Sequence, residues 1–232
     1  MNSISACVPK TIELVLFDND GVLVDSEQLS FEIYANVISE FGERKDPVLL
    51  MEETSGLTHE AILAKALPTL SKAEQKEIGD RIQKQILLAF IDRPLKANPG
   101  VVDLLTTLQH KNIPFCVATN GTKERLDTAF FTSGLDRFFP EDKRFTAYMV
   151  PKGKPAPDLY LFAAKQFGVT SDACLVIEDS VTGISAAHAA NMAVVGFLGG
   201  GHAQHNWYQK WVMSAQPSCR ADTMSQIISL IK

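Results

Sequence analysis

The sequence predicts an α/β fold, a doubly wound parallel sheet of Rossmann-like type with an all-α insert after its first strand. Three observations carry this. An apolar run, Leu14-Val15-Leu16-Phe17, ends abruptly in Asp18-Asn19-Asp20-Gly21, as a buried parallel strand does where it delivers polar groups to its carboxyl end. From about residue 27 to residue 93 the apolar spacing is helical and no strand pattern occurs. Beyond residue 94, strand and helix patterns alternate to about residue 197.

Each element follows from local signals. After the first strand, Leu29, Ile33, Tyr34, Val37, Ile38 and Phe41 fall on one helical face, and Gly42 stops the helix. Thr58 to Leu67 reads as a short helix. Ser71-Lys72-Ala73-Glu74 is a capping box opening a helix that runs to about Ile91. Pro94 and Pro99-Gly100 mark Asp92 to Asn98 as a linker. The core resumes with helix Val101 to Lys111, strand Ile113 to Ala118, helix Lys123 to Ser133 and a short strand near Phe145 to Tyr148. Helix Asp158 to Phe167, strand Cys174 to Ile177, helix Gly183 to Asn191 and strand Ala193 to Phe197 follow, with a C-terminal helix near Met224 to Ile231. The core is thus expected to comprise residues 1–26 and 94–232, and the helical insert residues 27–93. Trp207, Tyr208 and Trp211 are expected to pack under the C-terminal helix.

Composition narrows the function classes. With 232 residues, 46% of them hydrophobic and 21% charged, the chain can bury one large core and a smaller domain. A net charge of -5 without a basic, aromatic-interleaved patch argues against a nucleic-acid partner. The absence of a signal-like N-terminus or a long apolar stretch argues against a membrane and for a cytoplasmic protein. Cys7, Cys116, Cys174 and Cys219 form no Cys-x-x-Cys pair and read as free thiols, Cys116 and Cys174 within apolar strands. A monomer or weak homo-oligomer acting on a small molecule is expected.

Polar residues gather at the predicted strand ends. Asp18 and Asp20 do not open an EF-hand calcium loop, because the fifth position is Val22 and Gly21 falls one place early. The second core strand ends in Thr119-Asn120-Gly121-Thr122, a hydroxyl and a run of N–H groups at a helix start, where anions bind. Taken alone, this turn reads first as an ordinary helix N-cap by Thr119 or Thr122. Glu178 and Asp179 are adjacent acids at a third strand end, tolerable beside a cation. Lys154 stands in a proline-stiffened loop, where a solvated surface lysine is the plain alternative. Together, oxygen ligands suited to Mg²⁺ and donors suited to a phosphate would share one pocket.

At this point the chain resembles the haloacid dehalogenase superfamily of hydrolases, phosphatase type, in the subgroup with a helical cap. All four motifs stand in order: Asp18-Asn19-Asp20-Gly21-Val22, Thr119-Asn120, Lys154 within Gly-Lys-Pro-Ala-Pro-Asp, and Glu178-Asp179-Ser180. The resemblance implies a Mg²⁺-dependent phosphatase working through an aspartyl-phosphate. Asp18 would be the nucleophile and Asp20 the general acid and base. The side chains of Asp18 and Asp179 and the backbone carbonyl of Asp20 would hold Mg²⁺, with Glu178 ligating directly or through water. Thr119, Asn120 and Lys154 would bind the phosphate. A carboxylate meeting one phosphate charge at ~4 Å faces about 4 kcal/mol of repulsion at an effective dielectric near 20, so cations are required.

The substrate expected from similar proteins is a sugar phosphate or sugar-acid phosphate. Dehalogenases and phosphonate-cleaving members typically lack an acid at the position of Asp20. A mutase similar to β-phosphoglucomutase is the alternative, although its histidine falls here on Ser30 and its cap arginine approximately on His59. The cap would close over the site and select the substrate, and Gly56-Leu57-Thr58-His59-Glu60 is its candidate specificity loop, against the plainer reading that Thr58 only caps the helix. Gly199-Gly200-Gly201-His202 reads first as a plain flexible loop, with His202 as a candidate substrate contact the alternative.

Overall fold

The protein is described here by a computed structural model covering residues 8–42 and 44–231. It divides into two compact units, one formed by Met1–Asp25 and Lys96–Lys232 and the other by Ser26–Leu95.

The first unit is built on a parallel sheet of six strands: β1 Leu14–Phe17, β2 Phe115–Thr119, β3 Arg144–Thr146, β4 Cys174–Glu178, β5 Ala193–Phe197 and β6 Cys219–Ala221. Their spatial order is β3-β2-β1-β4-β5-β6. Chain order reverses direction on either side of β1, and such a switch point leaves a crevice at the carboxyl ends of the strands. Register aligns these ends, since Phe17 pairs with Val117 on one side and with Ile177 on the other. The residues just beyond β1, β2 and β4 therefore converge.

Alternation along each strand sorts the core into two faces. Leu14, Leu16, Cys116, Ala118, Cys174, Val176 and Val194 pack with α7 (Asp158–Phe167), α8 (Val181–Ala189) and α9 (Asn206–Ser214). Phe17 and Phe115 lie in an aromatic cluster with Phe139, which stacks on Phe130 of α6 (Lys123–Ser133). The C-terminal helix α10 (Met224–Leu230) packs against α5 (Val101–His110). Trp207 and Trp211 belong to α9 and join the cluster containing Tyr208 and Val212, not the underside of α10 as expected from the sequence. Both α9 and β6 were missed, the former because its aromatic-rich stretch lacks a clean apolar stripe, the latter because three residues show no period.

The second unit is all-α: α1 Glu27–Ser39, α2 Pro47–Thr54, α3 His59–Ala66 and α4 Lys72–Asp92. The capping box of Ser71 and Glu74 is formed at the start of α4. Along that helix Ile78, Ile82, Ile86 and Phe90 recur every fourth residue and are buried, the stripe that makes a surface helix pack. Helix α2 was not expected, although Asp46 caps it by accepting from the N–H groups of Val48 and Leu49, and Pro47 stands at its first turn. Cys116 and Cys174 are free and buried. Cys219 is disulfide-bonded, against the expectation of free thiols throughout, and Cys7 lies outside the described residues. Among the described residues no helix is long and apolar enough to cross a membrane.

Candidate active site

Asp18 follows β1 directly, and its backbone N–H donates to the Ile177 carbonyl at 3.0 Å. The chain then turns tightly, with the N–H groups of Leu23 and Val24 donating to the Asn19 carbonyl at 2.9 and 3.1 Å. Gly21 takes φ 78° in this turn, and a Cβ there would fall 1.9 Å from Asp179 Oδ2, so only glycine fits. Buried Asn98 braces the turn from the far side of the helical insert in sequence. Its Nδ2 donates to the carbonyls of Gly21 and Val22, each at 2.9 Å.

Lys154 stands between two carboxylates, its Nζ donating to Asp18 Oδ1 and Glu178 Oε1 at 2.6 Å each. Its side chain is only 3% exposed; the plain reading as a surface lysine is wrong. The Lys154 loop is held by Asn120, whose Nδ2 donates to the Lys154 carbonyl at 3.0 Å while its Oδ1 accepts from the Lys154 N–H at 2.9 Å. Asn120 was expected to bind phosphate. In the structure its side-chain amide pairs with Lys154, because an amide side chain matches the donor and acceptor of a peptide unit, while the phosphate expectation concerns the backbone N–H groups of this turn. Thr119 ends β2 and is buried, its Oγ1 accepting from the Gly121 N–H at 3.0 Å. The N-cap of α6 is Thr122, which accepts from the Arg125 N–H.

Glu178 is saturated by protein donors. Oε1 accepts from Lys154 and from the Tyr160 hydroxyl at 2.9 Å, and Oε2 from the N–H groups of Asp179 and Ser180 and the Ser180 hydroxyl. A Cβ at Gly183 would fall 1.7 Å from Oε1, so that glycine makes room for the carboxylate. Asp179 lies beside His202, with Nε2 and Oδ2 2.8 Å apart. His202 is fully buried, its ring edge-on to Tyr208 with centroids 4.7 Å apart. It touches a site carboxylate from within the core, where the sequence suggested a plain flexible loop.

Asp20 turns away from these acids. Its Oδ1 accepts from Arg125 Nη2 at 2.7 Å and Nε at 3.2 Å, and its Oδ2 from Asn19 Nδ2 at 3.2 Å. Sequence reasoning missed Arg125, Tyr160 and Asn98. Among these, only Arg125 carried a signal, a cation in the first turn of a helix, where the macrodipole disfavours it. His59, expected to choose the substrate, engages neighbours within the helical unit. Its Nδ1 meets the Tyr34 hydroxyl, with Gln83 Nε2 at 3.3 Å.

Electrostatics follow from burial. Desolvation pushes Asp18 well above the ordinary carboxyl range, partly offset by Lys154. Asp179 is raised likewise by burial, reinforced by Glu178. For Lys154 burial opposes the charge, but Asp18 and Glu178 outweigh it and hold the ammonium above its usual value. One lysine thus faces three acids, Glu178 and Asp179 buried and Asp18 partly so. Carboxylate oxygens of Asp18, Glu178 and Asp179 all lie within 4.8 Å of one another and could hold a metal ion. Hard, buried oxygen donors with an excess of negative charge fit a divalent cation such as Mg²⁺. The saturation of Glu178 leaves Asp18 and Asp179 as the better placed donors, and the Asp20 side chain is not in the set.

Comparison with known proteins agrees with this geometry. The family described as haloacid dehalogenase-like hydrolase matches residues 12–191. The chain is similar to 6-phosphogluconate phosphatase of Escherichia coli, 31% identical over 195 residues covering 82% of this chain and 85% of that protein. It is also similar to the phosphorylated carbohydrates phosphatase of Thermotoga maritima, 30% identical, covering 78% of this chain and 82% of the other. Among solved structures, a haloacid dehalogenase-like protein of unknown function from Agrobacterium tumefaciens superposes with a TM-score of 0.81 at 29% identity, covering 95% of this chain and 97% of that one. The chain belongs to the haloacid dehalogenase-like hydrolases and is an enzyme of their phosphatase type.

Proposed function

We propose that the protein hydrolyses a sugar phosphate or sugar-acid phosphate through a phosphorylated Asp18, with Mg²⁺ as cofactor. The observation that carries this reading is the placement of Lys154 between Asp18 and Glu178, 2.6 Å from each, at the switch point of the sheet. A buried ammonium on one oxygen of Asp18 fixes the carboxylate and offsets the repulsion a phosphate would meet there. The names of the relatives in Escherichia coli and Thermotoga maritima support the substrate class.

In this mechanism an Asp18 oxygen forms a bond to phosphorus as the bond from phosphorus to the leaving oxygen breaks. Asp20 gives its proton to that oxygen, so the product departs as a neutral alcohol. Water then attacks the phosphoryl group, Asp20 takes a proton from it, and Asp18 is released as a carboxylate with inorganic phosphate. The Thr119 hydroxyl and neighbouring N–H groups hold the phosphoryl oxygens, and Lys154 neutralises both nucleophile and phosphate. Asp18 and Asp179 would hold Mg²⁺, which when bound supplies positive charge against the transferring phosphoryl group. Glu178 orients Lys154 and the end of β4. The helical insert, residues 27–93, is assigned the part of a cap that excludes water and selects the substrate.

Release of inorganic phosphate from a panel of sugar and sugar-acid phosphates, with and without Mg²⁺, tests the reading. Mg²⁺-dependent turnover of members of that panel is expected, and its absence across the panel overturns the substrate class. Conversion of β-glucose 1-phosphate to glucose 6-phosphate would restore the mutase alternative. Nothing at the mutase position favours it, because Ser30 is buried and its hydroxyl donates to the Ser26 carbonyl at 2.8 Å.

A further inference from the structure

We infer that Arg125 is a positioning residue for Asp20, which orients the acid for proton donation and receives the charge left behind when the proton departs. The inference rests on the acid and base role assigned to Asp20 above.

The pair is built rather than incidental. Arg125 and Asp20 come from elements 105 positions apart in sequence. Their side chains are only 13% and 16% exposed. A charged pair so nearly removed from water is costly unless its geometry is good. Here the guanidinium places two nitrogens, Nη2 at 2.7 Å and Nε at 3.2 Å, on the single oxygen Oδ1. Arg125 also lies in the first turn of α6, where Thr122 caps its own N–H at 3.1 Å. A cation at a helix N-terminus works against the macrodipole, so the helix itself gains nothing from it.

The arrangement distinguishes the two oxygens of Asp20. Oδ1 faces two N–H donors, so a proton on Asp20 sits on Oδ2. A Cβ built on Gly121 would lie 3.3 Å from Thr119 Oγ1, 3.6 Å from Arg125 Cδ and 3.8 Å from Asp20 Oδ2. Asp20 Oδ2 and the Thr119 hydroxyl, to which the phosphoryl oxygens are assigned, thus border the same space beside Gly121. As the proton moves from Oδ2 to the leaving oxygen and the bond from phosphorus to that oxygen breaks, Asp20 becomes a carboxylate already paired with Arg125. Asn19, donating to Oδ2 at 3.2 Å, restrains the rotation of the group.

Leaving-group dependence tests this, because an aryl ester needs no proton to depart and an alkyl ester does. The ratio kcat/KM, which reads the steps up to alcohol release, would be measured for 4-nitrophenyl phosphate and for the sugar phosphate turned over fastest in the panel. Arg125→Gln is expected to lose at least ~10-fold more on the alkyl ester than on the aryl ester, a share of what general acid catalysis supplies. Arg125→Lys should recover part of the difference, and Arg125→Gln should add little to Asp20→Asn. Equal losses on both esters, or a full further loss in the Asp20→Asn background, would overturn the inference. An Asp20→Asn enzyme that treats both esters alike instead removes the underlying reading of Asp20, whereas selective Asp20→Asn beside unselective Arg125→Gln removes the inference alone. Thermal melts establish folding, and Arg125→Lys carries the comparison if Arg125→Gln does not fold.

Discussion

Asn120 and Lys154 exchange two hydrogen bonds, side-chain amide to peptide unit, at 3.0 and 2.9 Å. This clasp ties the end of β2 to the loop that delivers the Lys154 ammonium to Asp18. A Cβ at Gly153 would fall 2.7 Å from Asn120 Oδ1, so the glycine before the lysine is part of the same fit. The Asn120 side chain thereby positions the loop that carries Lys154.

Asn120→Ala should lower kcat/KM by roughly tenfold and cost about 2 kcal/mol of stability, the sum of two modest hydrogen bonds. Denaturant titration and steady-state kinetics check this. Asn120→Asp keeps the acceptor but sets a carboxylate oxygen against the Lys154 carbonyl, and should cost at least as much as the alanine variant.

Glu178 accepts five hydrogen bonds, three of them from the turn that starts α8. Glu178→Gln sets an amide N–H₂ against donors at one end of the group. It should destabilise the fold by about 3 kcal/mol, within the range for breaking a buried charged pair. A midpoint in urea unchanged from the natural protein would show that this network contributes nothing.

Mg²⁺ should stabilise the folded protein without any substrate present, because Asp18 and Asp179 are largely withdrawn from water, with one lysine set among three acids. At a concentration 100 times the dissociation constant the gain is about 2.7 kcal/mol, read as a rise in melting temperature. Asp179→Asn should abolish most of that rise. His202→Gln, which changes the partner of Asp179 rather than the ligand, should weaken it.

Burial keeps the free thiols protonated. It pushes Cys116 upward, and Cys174 to about 11. Both should resist a thiolate-selective reagent at pH 8 in the native protein and react after unfolding, as followed by mass spectrometry. The sign for stability follows: a folded pKa above the unfolded one leaves this contribution intact below the ordinary thiol range. Stability should then decline as pH rises toward 11.

Local signals were enough where a residue's partner is its own neighbour in sequence. The bounds of α6, α7 and β5 were readable from apolar spacing and flanking stop residues, and the acids after β1 and β4 stood out because polar groups interrupt buried strands. Lys154 could be placed near them only through its motif, since no local pattern says that a loop lysine is buried. The tie from the Asn120 side chain to Lys154, 34 positions away, was not readable, because an isolated amide carries no sign of what it faces. Arg125 carried a signal in its place at a helix start, but its partner could not be read, the carboxylate being 105 positions away. Helix α2 had its signals, Asp46 and Pro47, but an apolar run too short to be told from a loop.

The central claim is that Asp18 carries the phosphoryl group during turnover. Borohydride added to the enzyme during turnover of a sugar phosphate reduces an acyl phosphate to an alcohol, and peptide mass spectrometry locates the change. The account predicts homoserine at position 18 alone, and no such product in Asp18→Asn, which should fold but show no detectable phosphatase activity. Turnover retained by Asp18→Asn, or reduction at another carboxylate with Asp18 intact, would contradict it.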